Sequence, residues 1–470
     1  MSDMPVKELY VADALLPGGW ARNVRLTIDA TGTISAVETD VPAHKAPPKT
    51  KASLTNAIAI PGMPNMHSHA FQRAMAGLAE MRAGDDDFWS WRLVMYDFVE
   101  RLTPEILEAV AAELYVEMLK AGYTSVGEFH YLHHDKGGNQ HEDIAEMSRA
   151  ILRASHEAGI GLTLLPTLYM TAGFTSDQES GALQGGQQRF YNNLESYGQL
   201  MEALHPAFAD DPDRQLGVAF HSLRAVPGKA MEELLKGPGY ELPVHIHIAE
   251  QRREVVECVR HLGTRPVEWL LDNMPVDARW CMVHATHTTE SERFSLKRSG
   301  AVVCLCPTTE ANLGDGLFPT VDWLEAGGGI AIGSDSNVSV DPREELRLLE
   351  YAQRLARERR TVLAAADESR TGARLYRAAL AGGAQASGRA IGEIAVGKRA
   401  DIVVLDADSA TLTGREGDLI LDSLVFTGSP SPVRDVMVGG KWRIRNGRHG
   451  AEDAILANYR KAVGKLLGQE

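Results

Sequence analysis

Short apolar runs alternate with helix-like stretches along most of the chain. From Gly62 to about Asp335 one unit keeps returning: an apolar run, then polar or glycine-rich residues, then apolar positions every three or four residues. The runs lie at 57–60, 124–126, 161–165, 216–220, 244–248, 280–283, 301–305 and 330–332. Between them, 104–121 places Ile106, Val110, Leu114 and Met118 on one stripe, with Thr103 as the N-cap and Pro104 in the first helical position. A second helix is predicted over 143–158, with Ile144, Met147, Ile151 and Ala154 aligned. Runs alternating with helices predict a parallel sheet, either an open doubly wound one or a closed (β/α)8 TIM barrel. The polar residues favour the barrel: metal-type side chains fall at the ends of the first, fifth, sixth and eighth runs, and only closure gathers those ends around one mouth.

Both ends of the chain carry a different pattern. Residues 7–56 and about 395–470 contain short alternating stretches, such as 24–28, 401–405 and 435–438, broken by Gly, Asp and Pro. They predict antiparallel strands that pair into a small β-sandwich beside the barrel. The expected organisation is a first sandwich segment at 1–57, the barrel at 58–394 and a second sandwich segment at 395–470. A Gly-, Gln- and Ser-rich stretch at 171–188 predicts a long loop on the binding face, a lid or binding loop after the third strand.

Composition narrows the function classes. The chain has 470 residues, 44% hydrophobic and 24% charged, enough to bury a large core without disulfides. Its 48 basic and 63 acidic residues give a formal charge of −15, which argues against a nucleic-acid or anionic-membrane partner. No run approaches the ~20 apolar residues of a membrane span, and the N-terminal residues lack the pattern of a signal peptide. Four cysteines, Cys258, Cys281, Cys304 and Cys306, are too few for a disulfide framework. They read as reduced core thiols of a cytoplasmic protein.

Four fragments carry the chemistry. Met66-His67-Ser68-His69 follows a Pro-Gly break, and in extended chain residues i and i+2 point the same way, so His67 and His69 can converge on one ion. His245-Ile246-His247-Ile248-Ala249-Glu250 ends the fifth run. Spacing does not separate His245 from His247; His247 lies nearer the strand end, where a barrel site forms. His284 ends the sixth run, and Gly333-Ser334-Asp335 ends the eighth. Imidazoles and a carboxylate at such strand ends suit a divalent ion such as Zn²⁺, and Fe²⁺ fits the same donor types.

In this order the fragments resemble the amidohydrolase superfamily: His-x-His on strand one, His on strands five and six, Asp on strand eight. The stretch 392–406, running through Asp401 to Asp406, is similar to the superfamily's return into its sandwich. The resemblance implies a distorted TIM barrel with a sandwich built from both ends. Two-metal members carry a bridging ligand, commonly a carboxylated Lys on the fourth strand. Neither 162–169 nor 215–224 contains a Lys, so one metal is expected, held by His67, His69, His247 and Asp335. Glu250, His284 and Asp335 take the catalytic roles of the one-metal deaminases: Asp335 and His284 orient water and accept its proton, and Glu250 protonates a substrate nitrogen. Within the superfamily, residues 63–77, Phe88-Trp89-Ser90-Trp91-Arg92 and His221-Ser222-Leu223-Arg224 resemble the formimidoylglutamate deiminase family over nearly the whole chain. That likeness implies a dicarboxylate substrate held by Gln72, Arg92, Tyr131, His221 and Arg224, and a homodimer. Arginine beside a metal site suits bidentate carboxylate binding, a need that a purine pocket lacks. The rival readings are a one-metal deaminase of guanine or a related heterocycle, and a barrel scaffold without catalysis.

Overall fold

The computed structural model describes residues 6–42, 53–80, 88–174, 183–237, 241–428 and 430–469. The N-terminal strands are β1 (Glu8–Leu16), β2 (Gly19–Ile28), β3 (Ile34–Glu38) and β4 (Ser53–Pro61). Strands β5 (Met63–Ser68), β6 (Tyr123–His130), β7 (Gly161–Leu168), β8 (Arg214–Leu216), β9 (Val218–Phe220), β10 (Val244–Ile248), β11 (Trp280–His284), β12 (Val302–Leu305) and β13 (Ile330–Ile332) follow. The C-terminal strands are β14 (Ile402–Asp406), β15 (Val433–Val438), β16 (Lys441–Arg445) and β17 (Arg448–His449).

Strands from both chain ends hydrogen-bond into one sheet in the order β17-β16-β15-β14-β4-β1-β2-β3. Its pairs are antiparallel except β1–β4, which is parallel. The run at 57–60 belongs here, in β4, and not to the barrel as its apolar character suggested. The reason is that both faces of β4 are covered. Ala57 and Ala59 join the end sheet's own cluster with Leu9, Val24, Ile402 and Val404, while Ile58 and Ile60 pack into the barrel core with Val403 and Leu405. A strand buried on both faces loses its polar alternation and reads like a parallel-sheet strand. The first barrel strand is β5, which carries the two histidines of the first fragment.

Strands β5, β6, β7, β9, β10, β11, β12 and β13 pair in parallel around a closed ring. The fourth strand is broken at Gly217 into β8 and β9, both paired with β7. A Cβ at Gly217 would lie 2.5 Å from Leu165 Cδ2 and 3.1 Å from the Pro243 carbonyl oxygen, so a side chain there would have to displace Leu165. Closure between β13 and β5 is thin, with one ladder pair, Ile332↔Asn65, and a bridge, Ser68↔Asp335. Polar groups stitch this seam instead. Asn65 Nδ2 donates to Ser334 Oγ at 2.6 Å, Asp335 N to the His67 carbonyl at 2.9 Å, and His69 N to the Asp335 carbonyl at 3.0 Å. Gly333 permits the approach, since a Cβ there would meet His67 Cβ at 2.6 Å.

The helix Pro104–Ala121 has the bounds its stripe predicts, with Thr103 Oγ1 accepting from Ile106 N. The helix expected from 143 begins at Glu146, because the Asp143 carboxylate takes Ala145 N and turns the chain first. Of the stretch 171–188, residues 175–182 lie outside the described residues, and its end enters a short 3-10 helix, Gly185–Phe190. The four cysteines are buried free thiols. Among the described residues no helix is long and apolar enough to cross a membrane.

Candidate active site

The C-terminal ends of β5, β10, β11 and β13 meet around one buried space. His67 Nε2 lies 3.0 Å from His247 Nε2 and 3.6 Å from Asp335 Oδ1, and His69 Nε2 lies 3.4 Å from that same oxygen. His284 Nε2 sits 3.6 Å from Asp335 Oδ2 and 3.9 Å from Glu250 Oε1. The five residues expected to form the metal and proton-transfer centre, and Glu250 beside them, are therefore together. His245, the alternative to His247, lies one layer deeper and bonds through Nε2 to the Ala386 carbonyl at 2.9 Å. It is a buried, hydrogen-bonded histidine beneath the site.

The donor set fits a divalent cation. A carbonyl oxygen only accepts, so the contacts of His69 Nδ1 with the Phe129 carbonyl and of His247 Nδ1 with the His221 carbonyl, both at 2.9 Å, require Nδ1–H. Each ring then turns an unprotonated Nε2 into the shared space. Burial pushes His67 down to about 3 and lowers His69 and His247 as well, so these rings stay neutral. Burial alone would raise Asp335, but the His67, His284 and His69 rings hold its carboxyl well below the usual range. Nitrogen and oxygen donors of His67, His69 and Asp335, and of His67, His247 and His284, lie within 4.8 Å of one another.

The proton-handling pair has the opposite balance. Burial pushes Glu250 up to about 7, against the pull of His284. His284 is pushed up to about 10: burial disfavours its charge, but Glu250, Glu310 and Asp335 outweigh that. Left-handed backbone concentrates at these strand ends, at Ala249 (φ 52°), His284 (φ 70°), Ala285 (φ 51°), Asp335 (φ 47°) and Asn337 (φ 57°). None of these is glycine, and each such residue costs on the order of 1–3 kcal/mol, a strain typical of active sites.

All five residues expected to hold substrate line the same pocket as His69, His247, Glu250, His284 and Asp335. Gln72 Nε2 donates to the Tyr131 hydroxyl at 2.8 Å, and the Tyr131 ring stands edge-on to His69. Burial, with Arg224 and Arg92 nearby, holds His221 well below its ordinary range. Arg92 donates to the hydroxyls of Tyr96 and Tyr169. Arg224 is buried, packs 5.4 Å from the Trp89 ring, and has no acceptor for its Nε among the described residues. Among the described residues neither guanidinium forms an ion pair with a carboxylate.

Sequence reasoning missed several lining residues, including Tyr96, Tyr169, Phe190 and Leu313, and the buried Glu310 behind His284. Tyr169 directly follows β7, so the strand-end rule that found His284 would have found it. Phe190 and Leu313 carry no local signal. Glu128 was also missed: it sits within β6, and its Oε1 accepts from Ala70 N at 2.7 Å, bracing the turn after His69.

A closed parallel barrel with histidines and an aspartate at these strand ends defines a class. The chain belongs to the amidohydrolase family, whose model matches residues 58–443. A second model, "Formimidoylglutamate deiminase HutF, N-terminal domain", matches residues 9–47. The chain is 50% identical over 460 residues to formimidoylglutamate deiminase of Pseudomonas aeruginosa, covering 98% of this chain and 99% of the relative. It is 28% identical to the 8-oxoguanine deaminase of the same organism, over 87% of this chain and 88% of that one. The crystal structure of an amidohydrolase from Brucella melitensis superposes with a TM-score of 0.91 at 44% identity, covering 98% of this chain and all of that one. A zinc-bound adenosine deaminase from Xanthomonas campestris shares the fold, with a TM-score of 0.80 at 23% identity over 98% of each chain.

Proposed function

We propose that this chain hydrolyses N-formimidoyl-L-glutamate with water to N-formyl-L-glutamate and ammonia, the deiminase step of histidine degradation. The observation that carries this reading is the pair of guanidiniums, Arg92 and Arg224, facing the Glu250–His284 pair with no carboxylate at ion-pair distance among the described residues, although Glu250 and Glu254 attract Arg224 from farther off. A guanidinium held in a pocket without a direct carboxylate contact is a ready site for one, and a dicarboxylate substrate supplies it. The 50% identity to a formimidoylglutamate deiminase supports the same substrate.

His67, His69, His247 and Asp335 would hold one divalent ion, Zn²⁺ by donor type, with Fe²⁺ suited to the same set. When bound, that ion supplies Lewis-acid activation of water for attack on the C=N carbon. The chain's own residues do the rest. Arg224 and Arg92 bind the substrate carboxylates, while Tyr131, Gln72 and His221 orient the formimino end. Asp335 would accept the proton of the attacking water, and His284, pushed up to about 10, would orient that water and stabilise the charge that develops on addition. Glu250, pushed up to about 7, can hold a proton and hand it to the departing nitrogen at neutral pH. Addition of water and departure of ammonia leave the formyl group on the glutamate nitrogen. Buried free thiols support a reducing, cytoplasmic setting, and the family likeness carries the homodimer.

Ammonia release from N-formimidoyl-L-glutamate, 8-oxoguanine, guanine and adenosine, with metal content measured on the same sample, tests the proposal. Turnover of the formimino compound alone is expected. Turnover only of a purine would overturn the substrate. A metal-free chain inactive on all four would favour the scaffold.

A further inference from the structure

His284 has two ring nitrogens, and the proposed reaction uses only one. Nε2 faces Asp335 and Glu250; Nδ1 points away, toward the segment that follows β12. There the chain runs Cys306-Pro307-Thr308-Thr309-Glu310, and Pro307 opens the helix Pro307–Leu313. Glu310 reaches back over the first turn, and its Oε1 accepts from Cys306 N at 2.9 Å, tying the side chain to its own helix start. The same oxygen lies 3.2 Å from His284 Nδ1. Its neighbour Thr309 holds the other half of the centre, its hydroxyl donating to the Ser334 carbonyl at 3.1 Å and accepting from Ser336 N at 3.2 Å, on either side of Asp335. Thr309 and Glu310 are both buried, so water does not compete for these contacts.

We propose that Glu310 is a positioning residue for the deiminase reaction: by accepting Nδ1–H it fixes the His284 ring, so that Nε2 is the atom presented to the reacting groups. The geometry supplies three reasons. A carboxylate that already accepts a backbone N–H accepts from the ring as well, which makes Nδ1 the donor. The contact joins two neighbouring strand ends through a short helix rather than through a mobile loop. His284 also sits on left-handed backbone (φ 70°), a strained conformation that persists only where surrounding contacts fix the residue. Glu310 stands on the ring nitrogen remote from the reacting groups, so it acts through His284 and not on substrate. No sequence motif marked it, because its partner lies on a different strand.

The inference rests on His284 orienting water in the proposed reaction, and the test separates the two. In protein labelled with ¹⁵N-histidine, the His284 ring signals are assigned by their loss in His284→Asn. Nδ1 is expected to carry a hydrogen-bonded proton in the wild type, and a bare Nδ1 would overturn the proposal whatever the activity. Glu310→Met, which removes the acceptor, is expected to lower kcat by about 10- to 100-fold, the range for loss of an outer partner of a functional histidine, with KM within about threefold. Glu310→Gln keeps an acceptor oxygen of the same reach and is expected to recover most of kcat. A Glu310→Met kcat within threefold of wild type, or a Gln variant no better than Met, would overturn the role. If Glu310→Met does not fold, the wild-type ring signals and the Gln variant decide. A wild type that releases no ammonia would remove the proposed reaction and leave the ring-nitrogen result to judge the contact itself.

Discussion

Two regions of this chain bury arginines, and they do so in opposite ways. Where the end sheet meets the barrel, Arg399 donates to Asp213 at 2.6 Å and to the Thr31 carbonyl at 2.5 Å, while Arg389 reaches the same Asp213 oxygen at 3.5 Å. Asp401 lies close by and takes Gly439 N at 2.8 Å. At the barrel mouth, Arg224 and Arg92 pack on Trp89 and tyrosine hydroxyls with no carboxylate in an ion pair among the described residues. Arg224, Arg389 and Arg399 are buried and Arg92 is half-buried; the pairing is what differs. A charge paired directly within the protein fixes architecture, and one left without a direct carboxylate contact inside a pocket is open to a ligand. Left-handed non-glycine residues are also denser at the mouth, with five at its strand ends, while the end sheet holds Asn23 in β2 and Asn446 between β16 and β17.

The contrast can be broken by substitution. The largest effect is expected at Glu250. Glu250→Gln should fold, keep its metal content and melting temperature, and lose about 10³-fold in kcat, within the range for a lost general acid. Near-normal ammonia release would remove Glu250 from proton transfer. Next come the two arginines. Arg224→Met should cost about 100-fold in kcat/KM on the dicarboxylate, corresponding to a lost charge-assisted contact of about 3 kcal/mol, with less loss on an analogue lacking one carboxylate and no loss of stability. Arg399→Met should behave in reverse, destabilising by about 3 kcal/mol as a broken buried pair, with activity per folded molecule unchanged. If denaturation and kinetics gave the two variants the same profile, pairing would not distinguish their roles.

The smallest effect is a pH dependence at the seam. Burial pushes Asp401 up to about 6, above its ordinary 3.8. The folded state therefore binds the proton more tightly than the unfolded state, so this contribution is full below about pH 4 and lost as pH rises through about 6. Asp401→Asn should flatten that part of the stability curve, as read from denaturant midpoints between pH 4 and 7. An unchanged slope would place the titration elsewhere.

Much of this was legible in the chain. His247, His284 and Asp335 could be read because each closes an apolar run, and His67 and His69 because they alternate along extended chain after a Pro-Gly break; a closed parallel sheet brings such strand ends together whatever their separation in sequence. The helix Pro104–Ala121 was legible because its stripe and its cap agree. The run at 57–60 misled because β4 is covered on both faces, which erases the alternation that marks an end-sheet strand. Phe190, Leu313 and Glu310 were illegible for a different reason. They reach the site from helices that follow strands or loops, at positions set by tertiary packing, and nothing in local spacing records that.

The central claim is that four strand ends make one cation site. Anomalous diffraction at the zinc edge from crystals of the zinc-loaded chain tests it most directly. One peak per chain is expected, enclosed by His67, His69, His247 and Asp335. Two peaks there, or none, would contradict the account.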